Sequence, residues 1–188
     1  MSQQEIFGNN NLAVLGDYTE IKVENLPKLP SSLARVVTKL AESLPPPTPY
    51  RPPLAFEIEA KIKHNDIKAH RRLIETGAVH EPTIGRLYDT LDDTIPNAKS
   101  RSLAFFVDLY AKCLAKIIQG DVTRGTFTSE SDCIRQNADR ILSQCITALQ
   151  THLQGSPSVG IEEDISVCAS LLVCHAFINC YILERPPM

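Results

Sequence analysis

The stretch at residues 165–183, ISVCASLLVCHAFINCYIL, decides the fold of this 188-residue chain, because it contains no formally charged residue. A run of this length and hydropathy passes the test for a membrane span, so a C-terminal membrane anchor is one interpretation. Two serines, His175 and Asn179 interrupt the run, however, and lipid would offer His175 and Asn179 no hydrogen-bonding partner. We therefore interpret the stretch as the central helix of a bundle, apolar on nearly all sides.

Two long amphipathic segments precede this run and have the exposed polar faces that a central helix needs around it. Residues 98–119 repeat apolar side chains at helical spacing, with charged residues on the opposite face. Residues 130–154, with Thr128 or Ser129 as the N-cap, carry a heptad-like seam formed by Ile134, Ala138, Ile141, Cys145, Ala148, Leu149 and His152. The sequence therefore predicts a mainly α-helical fold, a helical bundle around the apolar C-terminal helix.

The N-terminal quarter of the chain has a different pattern. Residues 12–23 alternate in polarity around a Gly-Asp pair, which predicts a small β-hairpin, and residues 31–44 predict a short amphipathic helix. Residues 45–53, PPPTPYRPP, hold six prolines and predict an extended polyproline II segment. These changes divide the chain into an N-terminal tail with a small element (1–44), a polyproline linker (45–53) and a helical bundle domain (54–188).

Residues 54–63 carry two conflicting signals. Their apolar residues alternate strictly, as in a strand, whereas two acid-first Glu–Lys pairs stand at helical spacing. We expect a helix, because Ala, Glu and Lys favour that structure. Beyond it we predict two short helices at 66–76 and 82–94, the first ended by Gly77 and the second opened by Pro82.

Residues 74–87, IETGAVHEPTIGRL, resemble the turn and second helix of helix-turn-helix domains, and the segment before them is basic. The resemblance implies contacts to base edges and to phosphates, from His80, Thr83 and Arg86 and from Arg71 and Arg72 respectively. The turn is one residue longer than usual, and three aspartates follow where the helix would approach the nucleic-acid backbone. Nucleic-acid binding is therefore an alternative function, and an ordinary helical hairpin is the simpler interpretation.

Catalytic and metal-binding motifs are absent from the sequence. It contains no CxxC or HExxH pair, no GxSxG motif and no glycine-rich phosphate loop. Cys168, Cys174 and Cys180 step by six residues, so they point to different sides of a helix. We therefore predict no catalytic residue, no metal and no cofactor. The polar N-terminus has no secretory signal, and we expect reduced thiols in a cytoplasmic or nuclear protein.

The proline segment also carries a candidate binding motif. Pro46, Pro49 and Arg51 fit the P-x-x-P-x-R pattern that SH3 domains bind, in which the prolines fill aromatic grooves and the arginine meets an acidic pocket. The simpler interpretation is a stiff spacer between the N-terminal element and the bundle.

By elimination, the sequence predicts a non-enzymatic interaction, adaptor or regulatory protein that binds another protein or a second copy of itself. The net charge of −3 provides no overall positive field for nucleic acid or anionic membranes. The seam between residues 134 and 152 is the first face that we suspect of binding, with packing against 165–183 as the simpler interpretation. The alternatives are the helix-turn-helix binder and a tail-anchored membrane protein.

Overall fold

The computed structural model describes residues 32–43, 55–122, 129–154 and 162–187. In these ranges the chain forms seven helices and no strand, which confirms the predicted mainly α-helical bundle. The predicted hairpin and the polyproline segment lie outside the described residues. The helices are α1 (Ser32–Ser43), α2 (Phe56–His64), α3 (Arg71–Thr94), α4 (Ala98–Val122), α5 (Glu130–Gln136), α6 (Ala138–Gln154) and α7 (Glu162–Ile178).

Helix α7 lies at the centre of the bundle, as its composition predicts. It packs against α1, α3, α4 and α6, and every residue from 171 to 177 is buried. A helix that is apolar all round needs neighbours on all sides, and these four supply them. No helix in the described part of the chain has the length and apolar character to cross a membrane.

Helix α1 belongs to the same core, although the sequence placed it in an N-terminal element apart from the bundle. Leu33, Val36, Val37 and Leu40 are buried, and α1 packs against both α3 and α7. The physical reason is that the apolar stripe of this short helix covers surface of α7 that would otherwise face water.

The prediction of two helices around Gly77 and Pro82 is wrong, because α3 runs through both residues without a turn. Pro82 has no N–H and so removes one helical hydrogen bond, but Ile74, Ile84 and Tyr88 on the same helix are fully buried and hold it in place. Gly77 faces α7, where an added Cβ would lie 2.5 Å from the Cβ of Cys174. The glycine permits a close approach of two helices rather than ending one.

The helix predicted for residues 130–154 is divided at Asn137. The side-chain amide of Asn137 donates to the carbonyl of Cys133 at 3.0 Å, which ends α5 and starts α6 one residue later. Ser129 caps α5 as predicted, since its Oγ accepts a hydrogen bond from the N–H of Asp132. The conflict at residues 54–63 is decided in favour of a helix, α2.

The carboxylate of Asp139, at the start of α6, fixes the connection between α2 and α3. It accepts hydrogen bonds from the backbone N–H groups of Lys68, Ala69 and His70 and lies 2.8 Å from Nδ1 of His70. Partial burial of Asp139 opposes its ionisation, but these hydrogen bonds outweigh burial and lower its pKa to about 2. The loop between α2 and α3 is therefore fixed to the start of α6.

Candidate functional site

The most exposed large apolar side chain in the described part of the chain is Phe56, the first residue of α2, at 82%. It borders a cavity of about 260 Å³ between α2 and the segment after α7. We call this cavity the Phe56 pocket. Its wall is formed from α2 by Phe56, Glu57, Ile58 and Lys61, and from the other side by Ile178, Cys180, Arg185 and Pro186.

Lys61 joins the two sides of the Phe56 pocket. Its side chain is only 3% exposed, and its ammonium group donates hydrogen bonds to the carbonyls of Phe177 and Ile178 at the end of α7. The same nitrogen lies 4.8 Å from the centre of the Phe177 ring. Because the C-terminus of a helix carries partial negative charge, Lys61 caps α7 from a distant helix.

The surroundings of Lys61 disfavour the charged form of its side chain. Burial lowers the pKa of Lys61, the thiol of Cys180 opposes that effect, and the guanidinium of Arg185 lowers the pKa further. From sequence, Lys61 was one member of the basic segment before the helix-turn-helix resemblance and the base of one of the two Glu–Lys pairs that favour a helix. Its actual role depends on contacts with residues 116 positions away, which no local pattern indicates.

Helix α7 ends at Ile178, not at residue 183 as predicted, because the chain forms a Schellman turn. The N–H of Tyr181 bonds the carbonyl of Ala176 at 2.9 Å, and the N–H of Cys180 bonds that of Phe177 at 3.1 Å. Cys180 takes the left-handed position, with φ of 63°, where glycine is usual. The turn places the exposed Cys180 on the rim of the Phe56 pocket.

Asn65 fixes the segment after this turn. It is fully buried, and its side chain accepts from the N–H of Glu184 at 3.0 Å and donates to the carbonyl of Glu184 at 2.9 Å. This double hydrogen bond holds Arg185 and Pro186 against α2. Asn65 therefore anchors the far wall of the pocket.

Charge on the Phe56 pocket is predominantly positive. Lys61 and Arg185 face it, and Glu57 is the acid among its lining residues. Within the described ranges, Arg185 has no ion-pair partner, and Lys61 is satisfied by carbonyl groups instead of a carboxylate. The pocket thus combines an apolar wall with two cations that lack a counter-ion.

The residues singled out from sequence do not converge on a site. Pro46, Pro49 and Arg51 lie outside the described residues. The five residues of the nucleic-acid alternative all lie on α3 or its first turn, namely Arg71, Arg72, His80, Thr83 and Arg86. Since α3 is continuous, the helix-turn-helix geometry assumed for them is wrong.

The environment of these side chains also differs from a phosphate-binding face. Arg71 already has two carboxylates, with Glu59 at 2.6 Å and Glu75 at 3.1 Å. His80 is partly buried, and that burial lowers its pKa. Arg72 and Arg86 are exposed.

Most of the seam predicted for residues 134–152, which spans α5 and α6, belongs to the core, while His152 at its end is exposed. Ile141, Cys145 and Leu149 are buried, and α6 packs against α4 and α7. At the end of the seam, the ring of His152 lies 4.7 Å from that of Phe105 on α4. The simpler interpretation of the seam, packing against α7, is confirmed, and the binding face must be sought elsewhere.

His175 and Asn179, for which lipid would offer no hydrogen-bonding partner, find partners in the protein. His175 is 5% exposed, with its ring 5.5 Å from that of Tyr88 and its Nδ1 3.7 Å from Oε1 of Glu81. Burial lowers the pKa of His175, and the charge of Glu81 opposes that shift. Asn179 donates to the carbonyl of His175 at 2.9 Å. These contacts account for polar side chains in so apolar a helix.

One hydrogen-bonded chain has the order of a catalytic triad. Nδ1 of His70 lies 2.8 Å from Asp139, and Nε2 of His70 lies 3.2 Å from Oγ of Ser143. The Ser143 hydroxyl also donates to the carbonyl of Asp139, and Ser143 stands within α6, where the helix uses the backbone N–H groups that an oxyanion hole would need. We interpret these hydrogen bonds among Asp139, His70 and Ser143 as part of the set that fixes the loop before α3.

Metal ligands are not grouped in the described part of the chain, where no three His, Cys, Asp or Glu side chains could share an ion. The six cysteines form no disulfide in the described part of the chain; five of them are buried and Cys180 is exposed. Burial raises the pKa of both Cys168 and Cys174 to about 12.

The fold and the site define an all-α bundle domain, in which a largely apolar pocket with two cations in its lining lies at the end of the central helix. A family model matches residues 31–184, and its description is C-terminal domain 10 of the ABC-three component (ABC-3C) systems. The match covers most of the chain, which therefore belongs to this family and is a domain from a component of a multi-protein system. No curated protein and no solved structure matches the chain.

Proposed function

We propose that this domain is a non-enzymatic docking module, which binds another protein component of its ABC-3C system through the Phe56 pocket. One observation carries the proposal. Phe56 stands 82% exposed beside an apolar cavity, at a point where the surrounding residues are held by buried hydrogen bonds. A large aromatic side chain next to a preformed cavity is typical of a protein-binding hot spot.

Family membership supports a protein partner, because the systems to which this domain belongs are built from several proteins. The packing of the bundle supports the location. The part of α7 from residue 171 to 177 is already covered. In the described part of the chain, the other exposed large apolar residues, Val79, Val107 and Val167, lie singly on α3, α4 and α7. Isolated exposed valines are ordinary on a protein surface, whereas Phe56 adjoins a cavity.

The test is to purify the chain with the other components of the same system and to measure the affinity of the complex. The variant Phe56→Ala should weaken binding by about 10-fold to 100-fold, the usual cost of truncating an aromatic anchor. Val107→Ala is the matched control, since Val107 is 48% exposed on α4, and it should bind like the wild type.

Equal affinities for the two variants would contradict the proposed docking site. Light scattering on the isolated chain tests the other occupant, a second copy: a mass that is a multiple of 20.8 kDa, lost in Phe56→Ala, would assign the pocket to self-association.

A further inference from the structure

We propose that the Phe56 pocket takes a partner segment that supplies one apolar side chain together with one carboxylate. This inference rests on the proposed function and gives it a chemistry. The observations behind it are the two kinds of surface that meet in the pocket, an apolar wall and a pair of cations without a counter-ion.

The apolar wall is supported by the hydrophobic core and is of limited size. Ile58 and Ile178 form part of it, and both pack against the hydrophobic core on their other side. Phe56 and Pro186 extend the wall to the rim. A volume of about 260 Å³ is below the range of drug-sized ligand sites, so the pocket suits a single side chain and a small polar group.

The cations select the sign of the partner's charge. Arg185 and Lys61 face the same cavity, and the guanidinium makes the ammonium harder to keep charged. In the described part of the chain, no carboxylate pairs with Arg185. A carboxylate entering between the two would relieve their repulsion and accept charge-assisted hydrogen bonds from the planar guanidinium.

The lining of the pocket contains a single acid, Glu57. The lining sets two cations, Lys61 and Arg185, against this acid, so the side chains around the cavity carry an excess of positive charge. An acidic partner segment complements this excess, and a basic segment would add to the repulsion.

The probe for this chemistry is N-acetyl-L-phenylalanine, compared with its uncharged amide, N-acetyl-L-phenylalaninamide. Each is titrated into the ¹⁵N-labelled chain, and the backbone amide shifts are followed by NMR. The acid should bind saturably with a Kd of about 1 mM, as expected for a fragment of its size, and shift the amides of Ile178, Cys180 and Arg185. The amide should bind about tenfold more weakly or worse.

Arg185→Gln tests whether the charge of the pocket is needed, because it removes a cation and leaves the apolar wall in place. Arg185 is exposed, so the substitution leaves the fold intact, and the acid should then bind no better than the amide. Arg72→Gln, an exposed arginine on α3, is the matched control and should retain the preference for the acid. Equal binding of acid and amide, or shifts confined to residues away from the pocket, would overturn the inference.

Failure of this inference can be distinguished from failure of the docking function. If Phe56→Ala weakens the assembly but the acid has no advantage over the amide, docking stands and the carboxylate chemistry is wrong. If Phe56→Ala leaves the assembly unchanged, the docking site itself is wrong, and the inference about its partner falls with it.

Discussion

Helix α7 passes through two regions of opposite character. About one turn before its end, Cys174 meets Gly77 so closely that α3 and α7 leave no room for a methyl group. At its end, the carbonyls of Phe177 and Ile178 are capped by Lys61, and a cavity remains beside the exposed Phe56. One helix therefore supports a closed contact and, one turn later, an open pocket.

The two regions differ in the kind of interaction that fixes their structure. Before the end of α7, apolar side chains on four neighbouring helices fill the space, and packing alone decides the geometry. At the end of α7, hydrogen bonds from Lys61 and Asn65 hold the backbone, and they fix it without filling the volume between side chains. Polar anchoring keeps a cavity open where apolar packing would close it.

The largest effect on stability is expected from a substitution that overpacks the contact between α3 and α7. Gly77→Ala should lower the free energy of unfolding by about 1–2 kcal/mol, because overpacking against Cys174 outweighs the gain in helix propensity. Urea denaturation measures it. The pocket should keep its affinity for N-acetyl-L-phenylalanine, since the two regions are held by different interactions.

Gly85→Ala is the matched control on the same helix. An added Cβ at Gly85 meets nothing within 4 Å, so only the gain in helix propensity remains, and the variant should be more stable by about 0.5–1 kcal/mol. Effects of the same sign at Gly77 and Gly85 would show that the close approach of α3 and α7 is not limiting.

A second polar anchor, Asp139, tests whether hydrogen bonds to the backbone hold α2 as firmly as proposed. At neutral pH, Asp139→Asn should cost about 1–2 kcal/mol, because an amide cannot accept the same set of hydrogen bonds and partial exposure screens the lost charge. Asp108→Asn, an exposed acid paired with Lys112 on α4, should change stability by about 0.5 kcal/mol or less.

The stability of the wild type as a function of pH tests the same contribution of Asp139. The pKa of Asp139 is lowered from 3.8 to about 2 on folding, so its stabilising contribution is fully present above about pH 4 and is lost as the pH falls toward 2. Unfolding curves between pH 5 and pH 2 should show this loss in the wild type and not in Asp139→Asn. Parallel pH profiles of the two proteins would exclude Asp139 as the source.

The packing of other helices around α7 was largely predictable from sequence. The Phe56 pocket at the end of α7 was not. The hydropathy of residues 165–183 indicates a central helix directly, since an apolar helix must be surrounded. Gly77 misleads because a glycine that ends a helix and a glycine that permits close packing carry the same letter. Lys61 and Asn65 act on residues 116 and 119 positions away, and local periodicity contains no trace of such contacts.

The smallest effect is expected at the rim of the pocket, where Cys180 occupies the left-handed position of the Schellman turn. Cys180→Gly should raise the free energy of unfolding by about 0.5–1 kcal/mol, because glycine adopts this conformation without a steric cost, and the greater entropy of the unfolded glycine offsets part of the gain. Thermal unfolding measures the change.

Asn97→Gly is the control, since Asn97 has the same φ of 63° but asparagine tolerates it, and its gain should be smaller. A loss of stability in Cys180→Gly would mean that the thiol, which supports the charged form of Lys61, contributes more than the strain costs. The rim would then be held by the Lys61–Cys180 contact as well as by the backbone turn, and the open region would depend on a side chain that the closed region does not need.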